Sequence, residues 1–375
     1  MKDFQLRNDT RLQFCMNPVE RLQLIVRGKR VLFVYGGGSV KKNGCLEDVR
    51  NAVYGSGGTL FEFGNASRER SDIERGICMA REQQVEIVIG AGGANVMDCA
   101  KLISFGVCHE EEWWKFVKGK KNPYGLEKLP LVLIPTYPSS GSEYGLGAVA
   151  ADSRTGDFGT AYGIAADDAI LVPRYSLSLG REMTAYTGLV TLVQLSASIL
   201  GDKNPVSYDA GISVIRNVLK ATKRLRDNPN DLDARGVILF GASISTSGRL
   251  GLGKEENYAY DIYEIEFAPE VLFGVPYRKS LTALFPRFLK AMSVYHESDI
   301  RAYLKDVFGY EGEICDSADR MTTLYTELGV DMYFDGELSE EAVGKIPMES
   351  MLKQEEIAGI IRESMRQSNL SISNQ

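Results

Sequence analysis

Residues 85–101, VEIVIGAGGANVMDCAK, restrict the possible folds of this chain more than any other stretch. Val85, Ile87, Val88 and Ile89 form a short β-branched apolar run, too brief for a helix, which predicts a central strand buried on both faces of a parallel sheet. Gly90, Gly92 and Gly93 follow where the backbone must bend or come close to a ligand, and Val96 to Lys101 resumes an apolar helical pattern. A strand, a glycine turn and a helix start together make an anion site, because unpaired N–H groups and the helix dipole converge there. The same pattern also serves as an ordinary tight connection, so the neighbouring stretches have to decide between the two.

Lys29–Tyr35 (KRVLFVY) predicts a second buried strand that runs into Gly36, Gly37, Gly38 and Ser39. The following KKNG and the helix LEDVRNAVYG make a βα unit in which Lys41 and Lys42 either meet a phosphate or are simply solvated. Gly58–Phe63 predicts a third strand, Arg21–Val26 a short helix and Ser71–Gln84 an amphipathic helix, and this alternation indicates a doubly wound parallel sheet. After a polar connector, Phe105–Leu129, the strand Leu131–Pro135 exits into Thr136-Tyr137-Pro138-Ser139-Ser140-Gly141-Ser142-Glu143. Hydroxyls and a glycine at the carboxyl end of a strand suit phosphate or ribose, although Ser-rich turns are also common as plain loops. Gly147–Thr160 reads as a hairpin around residues 153–157, and Ala169–Val172 closes the sheet. Beyond Ser178 the texture is helical: 182–200, 206–226, 232–247, 261–274 and 280–294 are periodic enough for helices. Two domains are therefore expected, 1–178 and 179–375, with SNLSISNQ as a frayed tail.

Charge and cysteine usage narrow the function classes. A net charge of −7 and a pI near 5.2, with no basic block, argue against nucleic acid as a partner. The polar start lacks an apolar signal region and no run of roughly 18 apolar residues occurs, so a cytoplasmic location without a membrane partner is expected. Six cysteines without a CxxC pair predict reduced, mostly buried thiols. There are only two histidines, His109 and His296, which restricts the available chemistry sharply.

Taken in order, FQLRNDTRLQF, VYGGGSVKKNG, GAGGANVMDCAK and PTYPSSGSE resemble the motifs of the iron-containing (group III) alcohol dehydrogenases, in particular the butanol dehydrogenase and aldehyde reductase branch. The likeness covers nearly the whole chain. It implies an α/β Rossmann-like N-terminal domain with a parallel sheet, an N-terminal strand before it, an all-helical C-terminal domain as in dehydroquinate synthase-like folds, a cofactor cleft between the two, and a homodimer. Carried over residue by residue, Gly36, Gly37, Gly38 and Ser39 would lie by the adenine ribose, and Gly92, Gly93, Ala94 and Asn95 would hold the pyrophosphate. Asp98, Thr136, Tyr137 and Ser140 would approach the nicotinamide or its ribose, although Asp98 and Glu143 also read as anchors of the cofactor loops. Gly38 and Ser39 stand where an acidic residue would favour NAD(H), so the resemblance leans toward NADP(H). Phe158, where this branch often carries a lysine, pulls the other way.

The resemblance also implies a divalent metal held by an Asp and a His four residues apart on the first helix of the second domain and by two later histidines. This chain has Thr191, Leu195, Tyr263 and Tyr277 at those positions, so no metal is expected. Tyr263 and Tyr277 are the candidate catalytic residues, as phenols that donate to a carbonyl in place of the metal. As space-fillers with a polar tip they read more simply as plugs of a vacated site, and Asp261, Glu264 and Glu266 offer a third possibility, an oxygen-rich metal site. Three functions remain in view: an NAD(P)(H)-linked oxidoreductase acting on a small alcohol or carbonyl without metal, a non-catalytic homologue that binds nucleotide or a protein partner, and a lyase or isomerase on the same scaffold.

Overall fold

The computed structural model describes residues 1–109, 113–202, 204–254, 257–344, 346 and 350–366. Six strands, β1 (Arg11–Phe14), β2 (Arg30–Tyr35), β3 (Thr59–Phe63), β4 (Ile87–Gly92), β5 (Leu131–Pro135) and β8 (Asp168–Leu171), form a parallel sheet ordered β1-β8-β5-β4-β2-β3. Strands β6 (Gly147–Asp152) and β7 (Asp157–Tyr162) form a separate antiparallel hairpin, as their alternation and the turn between them lead one to expect.

The strands are apolar throughout because both faces of the sheet are covered. Leu32, Val34, Val88 and Leu133 pack on one side with α4 (Arg70–Glu82) and α5 (Ala94–Gly106), which bring Ile77, Ile103 and Phe105. Val31, Phe33, Ile87, Ile89 and Ile134 pack on the other with α1 (Val19–Val26) and α3 (Cys45–Gly55), which bring Leu22, Val49 and Val53. The short helices α2 (Ser39–Lys42) and α6 (Trp113–Val117) complete this part of the chain.

The helices that follow are α7 (Arg181–Ile199), α8 (Pro205–Asp227), α9 (Leu232–Ser245), α10 (Asp261–Phe273), α11 (Tyr277–Phe308), α12 (Ile314–Glu327), α13 (Glu340–Val343) and α14 (Gln354–Glu363). Two compact units result. One comprises Gln5–Gly180 and Asn228–Arg249, the other Met1–Phe4, Arg181–Asp227 and Leu250–Gln375. Helix α9 thus sits with the sheet, held by Arg235, whose Nη1 donates to the Ser176 carbonyl at 2.6 Å, and by close packing of Gly236 on Phe14. In the helical unit α7 is buried nearly all round from Thr184 to Ile199, which makes it that unit's central element.

Several expectations need correction. Gly90 and Gly92 belong to β4 rather than to the turn, which begins at Gly93. A Cβ at Gly90 would lie 2.5 Å from the Ala100 Cβ and 2.9 Å from Leu133, so this glycine lets helix α5 sit directly on the sheet. The thiols are free, but only Cys45 and Cys99 are buried, while Cys78, Cys108 and Cys315 are exposed. The connector carries α6, and α11 runs well past Val294 with a kink at His296, whose ring stacks on Tyr258 at 3.9 Å. The polar start holds strand β1, as the resemblance implied. The tail SNLSISNQ lies outside the described residues.

Candidate functional site

Strands β2, β4 and β5 are neighbours, with Tyr35 opposite Ala91 and Gly92 opposite Pro135. The segments leaving their carboxyl ends, 36–39, 93–95 and 136–140, therefore lie side by side. From β2 the chain moves outward to β3 and then crosses back to β4 on the other side of β2, so the β2/β4 crevice is the topological switch point at which open α/β sheets take ligands.

In the middle segment Gly93 is the extended N-cap (φ −86°, ψ −173°) and Ala94 opens α5, an end closed by no side-chain hydrogen bond. The first-turn N–H groups of such a helix have no partner within it, and Ala94 and Asn95 stand in that turn. Gly36 presses on this turn, since a Cβ there would lie 3.3 Å from Val96 Cγ2, and a Cβ at Gly37 would lie 3.1 Å from Asn65 Oδ1. Gly38 faces open space and Ser39 begins α2. Lys41 and Lys42 are exposed. From the third segment, the Thr136 N–H donates to the Gly92 carbonyl at 2.9 Å, and Tyr137 lies beside Gly93, 3.6 Å from where a Cβ would be. Ser140 Oγ accepts from the Ser142 N–H at 3.2 Å.

The third segment is braced from two helices. On α5, Asp98 and Lys101 are three residues apart and share a face. Asp98 accepts from Ser142 Oγ at 2.6 Å and from the Val149 N–H at 3.1 Å, and Lys101 Nζ donates to the carbonyls of Gly145 and Gly147 at 2.9 and 2.8 Å. One carboxylate oxygen of Asp98 is thus engaged by the loop and the other by strand β6. Burial pulls the Lys101 pKa down to about 8 against the opposing pull of Asp98 and Glu143, and burial raises both of those carboxyls. From α9, Ser243 Oγ donates to Glu143 Oε1 at 2.6 Å and Thr246 Oγ1 to the Gly141 carbonyl at 2.8 Å. Gly141 is required here, with φ +64° and a would-be Cβ 2.2 Å from the Ala242 carbonyl. Sequence reading missed this support from residues a hundred positions downstream. The only hint is the Ser/Thr-rich end of α9, ASISTSG.

The helical unit holds the residues that stand where the resemblance implied metal ligands, Thr191 and Leu195 on α7, Tyr263 on α10 and Tyr277 at the start of α11. Thr191 and Leu195, one turn apart on α7, are fully buried, and Thr191 Oγ1 has no hydrogen-bond partner. Gln194, missed in the sequence, donates from Nε2 to the Tyr277 hydroxyl at 3.3 Å. Burial, aided by Glu266, raises the Tyr277 pKa, and burial beside Tyr277 raises that of Tyr263, so both phenols keep their protons at neutral pH. Asp261 is occupied by Ser350 and the Met351 N–H at 2.8 and 2.7 Å, Glu264 is exposed and Glu266 is buried. Among the described residues no three His, Cys, Asp or Glu side chains converge as a metal site, and no helix is long and apolar enough to cross a membrane.

Comparison with known proteins agrees with this geometry. Residues 11–177 match the iron-containing alcohol dehydrogenase family. The chain is 25% identical over 394 residues to a probable NADH-dependent butanol dehydrogenase of Bacillus subtilis, covering 97% of this chain and 100% of that one. It is 26% identical over 381 residues to the NADPH-dependent aldehyde reductase YqhD of Escherichia coli, covering 96% and 94%. The crystal structure of NADH-dependent butanol dehydrogenase A from Thermotoga maritima superposes with a TM-score of 0.87 at 23% identity, over 98% of this chain and 99% of that one. Residues 11–177 are thus similar to the iron-containing alcohol dehydrogenases, and over nearly its full length the chain shares the fold of solved structures that include an iron-containing alcohol dehydrogenase of Thermotoga maritima.

Proposed function

We propose that this protein is an NAD(P)(H)-dependent oxidoreductase of the alcohol dehydrogenase and aldehyde reductase type, which transfers hydride to or from a small carbonyl or alcohol without the family's metal. The observation that carries the reading is the row of three segments at the switch point, with the uncapped N-terminus of α5 at its centre. These residues fit a dinucleotide: Gly92, Gly93, Ala94 and Asn95 for the pyrophosphate, Gly36, Gly37, Gly38 and Ser39 for the adenine ribose, and Thr136, Tyr137 and Ser140, with Asp98 as their anchor, for the nicotinamide end. When bound, the reduced dinucleotide supplies the hydride. The open space at Gly38 favours NADP(H), because no carboxylate stands there to repel a 2′-phosphate.

The iron of the family name does not fit its corresponding residues here. A hydroxyl, an alkyl chain and two protonated phenols are not donors for a divalent ion, and Glu266 alone does not make a ligand set. In this reading Tyr277 gives its hydroxyl proton to the carbonyl oxygen as the hydride arrives. The Gln194 N–H on its oxygen leaves that O–H free to donate, and Tyr263 is the second phenol of the pair. Cells would hold the protein in the cytoplasm as a homodimer.

The test is a titration with NADPH and NADH followed by turnover on a panel of small aldehydes, with the protein purified from iron- and zinc-supplemented medium. We expect micromolar NADPH binding, substoichiometric metal, turnover indifferent to chelator, and a drop of about 10²-fold or more in kcat for Tyr277→Phe with little change in nucleotide affinity. Full turnover by Tyr277→Phe would remove the phenol from the mechanism, and loss of turnover on chelation would remove the metal-free reading.

A further inference from the structure

Thr187, Ser196 and Ser198 on α7 are buried, and each turns its hydroxyl to a carbonyl three or four residues earlier, at 2.6, 2.7 and 3.0 Å. This is the usual way in which a helix accommodates a hydroxyl away from water. Thr191 departs from it. The residue is 0% exposed, and its Oγ1 has no hydrogen-bond partner among the described residues. A buried hydroxyl left unpaired costs free energy that a valine of the same shape would not, so its presence calls for a partner that arrives from outside the chain.

Gln194 stands three residues further along, on the same face of α7, and its Nε2 donates to the Tyr277 hydroxyl at 3.3 Å. The face that carries Thr191 is therefore the face that meets the phenol, and side chains three apart on a helix have Cβ atoms about 5–6 Å from each other. Burial keeps Tyr277 protonated. Two neutral O–H groups thus occupy one small region of the helical unit, and a carbonyl oxygen has two lone pairs with which to accept from both.

We infer that Thr191 is a second catalytic residue, whose hydroxyl donates to the substrate carbonyl oxygen alongside Tyr277, so that the pair forms a neutral two-donor hole where the resemblance implied a metal. The inference rests on the reading of Tyr277 as the proton donor. As hydride from the reduced dinucleotide forms the new C–H bond, the carbonyl π pair moves onto oxygen. The Tyr277 O–H bond breaks and its proton goes to that oxygen, while Thr191 keeps its own proton and holds the developing charge through its O–H. The Tyr277 phenolate then takes a proton from water. Such donors act most strongly where water is excluded, and Thr191 is fully buried.

Turnover of small aldehydes with NADPH, together with thermal unfolding of the nucleotide-free protein, tests the inference. Thr191→Val should unfold at the same or a higher temperature, because an apolar group of equal shape replaces an unpaired hydroxyl, yet its kcat should fall by about 10²-fold with KM little changed. Thr191→Ser, which keeps the donor, should retain kcat within about tenfold. The loss in Thr191→Val/Tyr277→Phe should be smaller than the product of the single losses, since both groups serve one oxygen. Undiminished kcat in Thr191→Val overturns the inference and leaves the oxidoreductase reading standing. A loss of kcat that comes with a lowered unfolding temperature and is not restored by serine marks a packing role and overturns it too, as does a double variant showing the full product. A wild type that turns over none of the aldehydes overturns the inference and the oxidoreductase reading together.

Discussion

Gly38 faces open space in the first segment as the N-cap of α2, and its φ of −138° lies outside the left-handed region that favours glycine. Gly38→Asp should therefore fold without loss of stability while placing a carboxylate by the adenine ribose. We expect its NADPH:NADH affinity ratio to fall by about tenfold or more in fluorescence titrations, from repulsion of the 2′-phosphate and new bonds to the ribose hydroxyls. An unchanged ratio would detach this segment from the ribose. The side chains at the switch point were legible because short motifs announce them. Gln194, Ser243 and Thr246 were not, because an amide or hydroxyl in an ordinary helix carries no local sign of what it will meet.

At the scale of elements, the contact between β4 and α5 sets where the helix N-terminus points. Gly90 allows that contact, and Gly90→Ala would set a methyl 2.5 Å from the Ala100 Cβ and 2.9 Å from Leu133. Overpacking of this kind costs roughly 1–3 kcal/mol, and since both neighbours belong to the packed core, α5 must shift. We expect a lowered urea midpoint together with nucleotide affinity weakened by more than the stability loss accounts for. Full affinity would mean that the position of α5 does not govern the cradle. Strand and helix positions followed closely from periodicity, yet Gly90 was read as a turn glycine. A glycine that bends the chain and one that admits a neighbour look the same in sequence, and only the packing tells them apart.

At the scale of the molecule, burial of charge gives a pH signature. Lys254 donates to the carbonyls of Ser198 and Leu200 at 2.9 and 2.7 Å, and burial pulls its pKa from 10.5 to about 8, as it does for Lys101 in the other unit. Between these values the unfolded chain binds more protons than the fold, so this contribution to stability rises with pH. Cys45 and Cys99, kept protonated by burial, act in the opposite sense above the ordinary thiol range. The difference between wild type and Lys254→Met isolates the lysine. We expect wild-type stability relative to the variant to increase by about 1.5 kcal/mol from pH 8 to 9.5 in denaturant titrations, and a flat difference would refute the shift.

The parallel sheet, its switch-point segments and the succession of helices could all be read along the chain, because hydrophobic period and glycine clusters are local properties. The return of residues 228–249 to the sheet unit could not. Nor could the bracing of Glu143 by Ser243, since it depends on which distant surfaces meet and exclude water, and no pattern of neighbours along the chain encodes that.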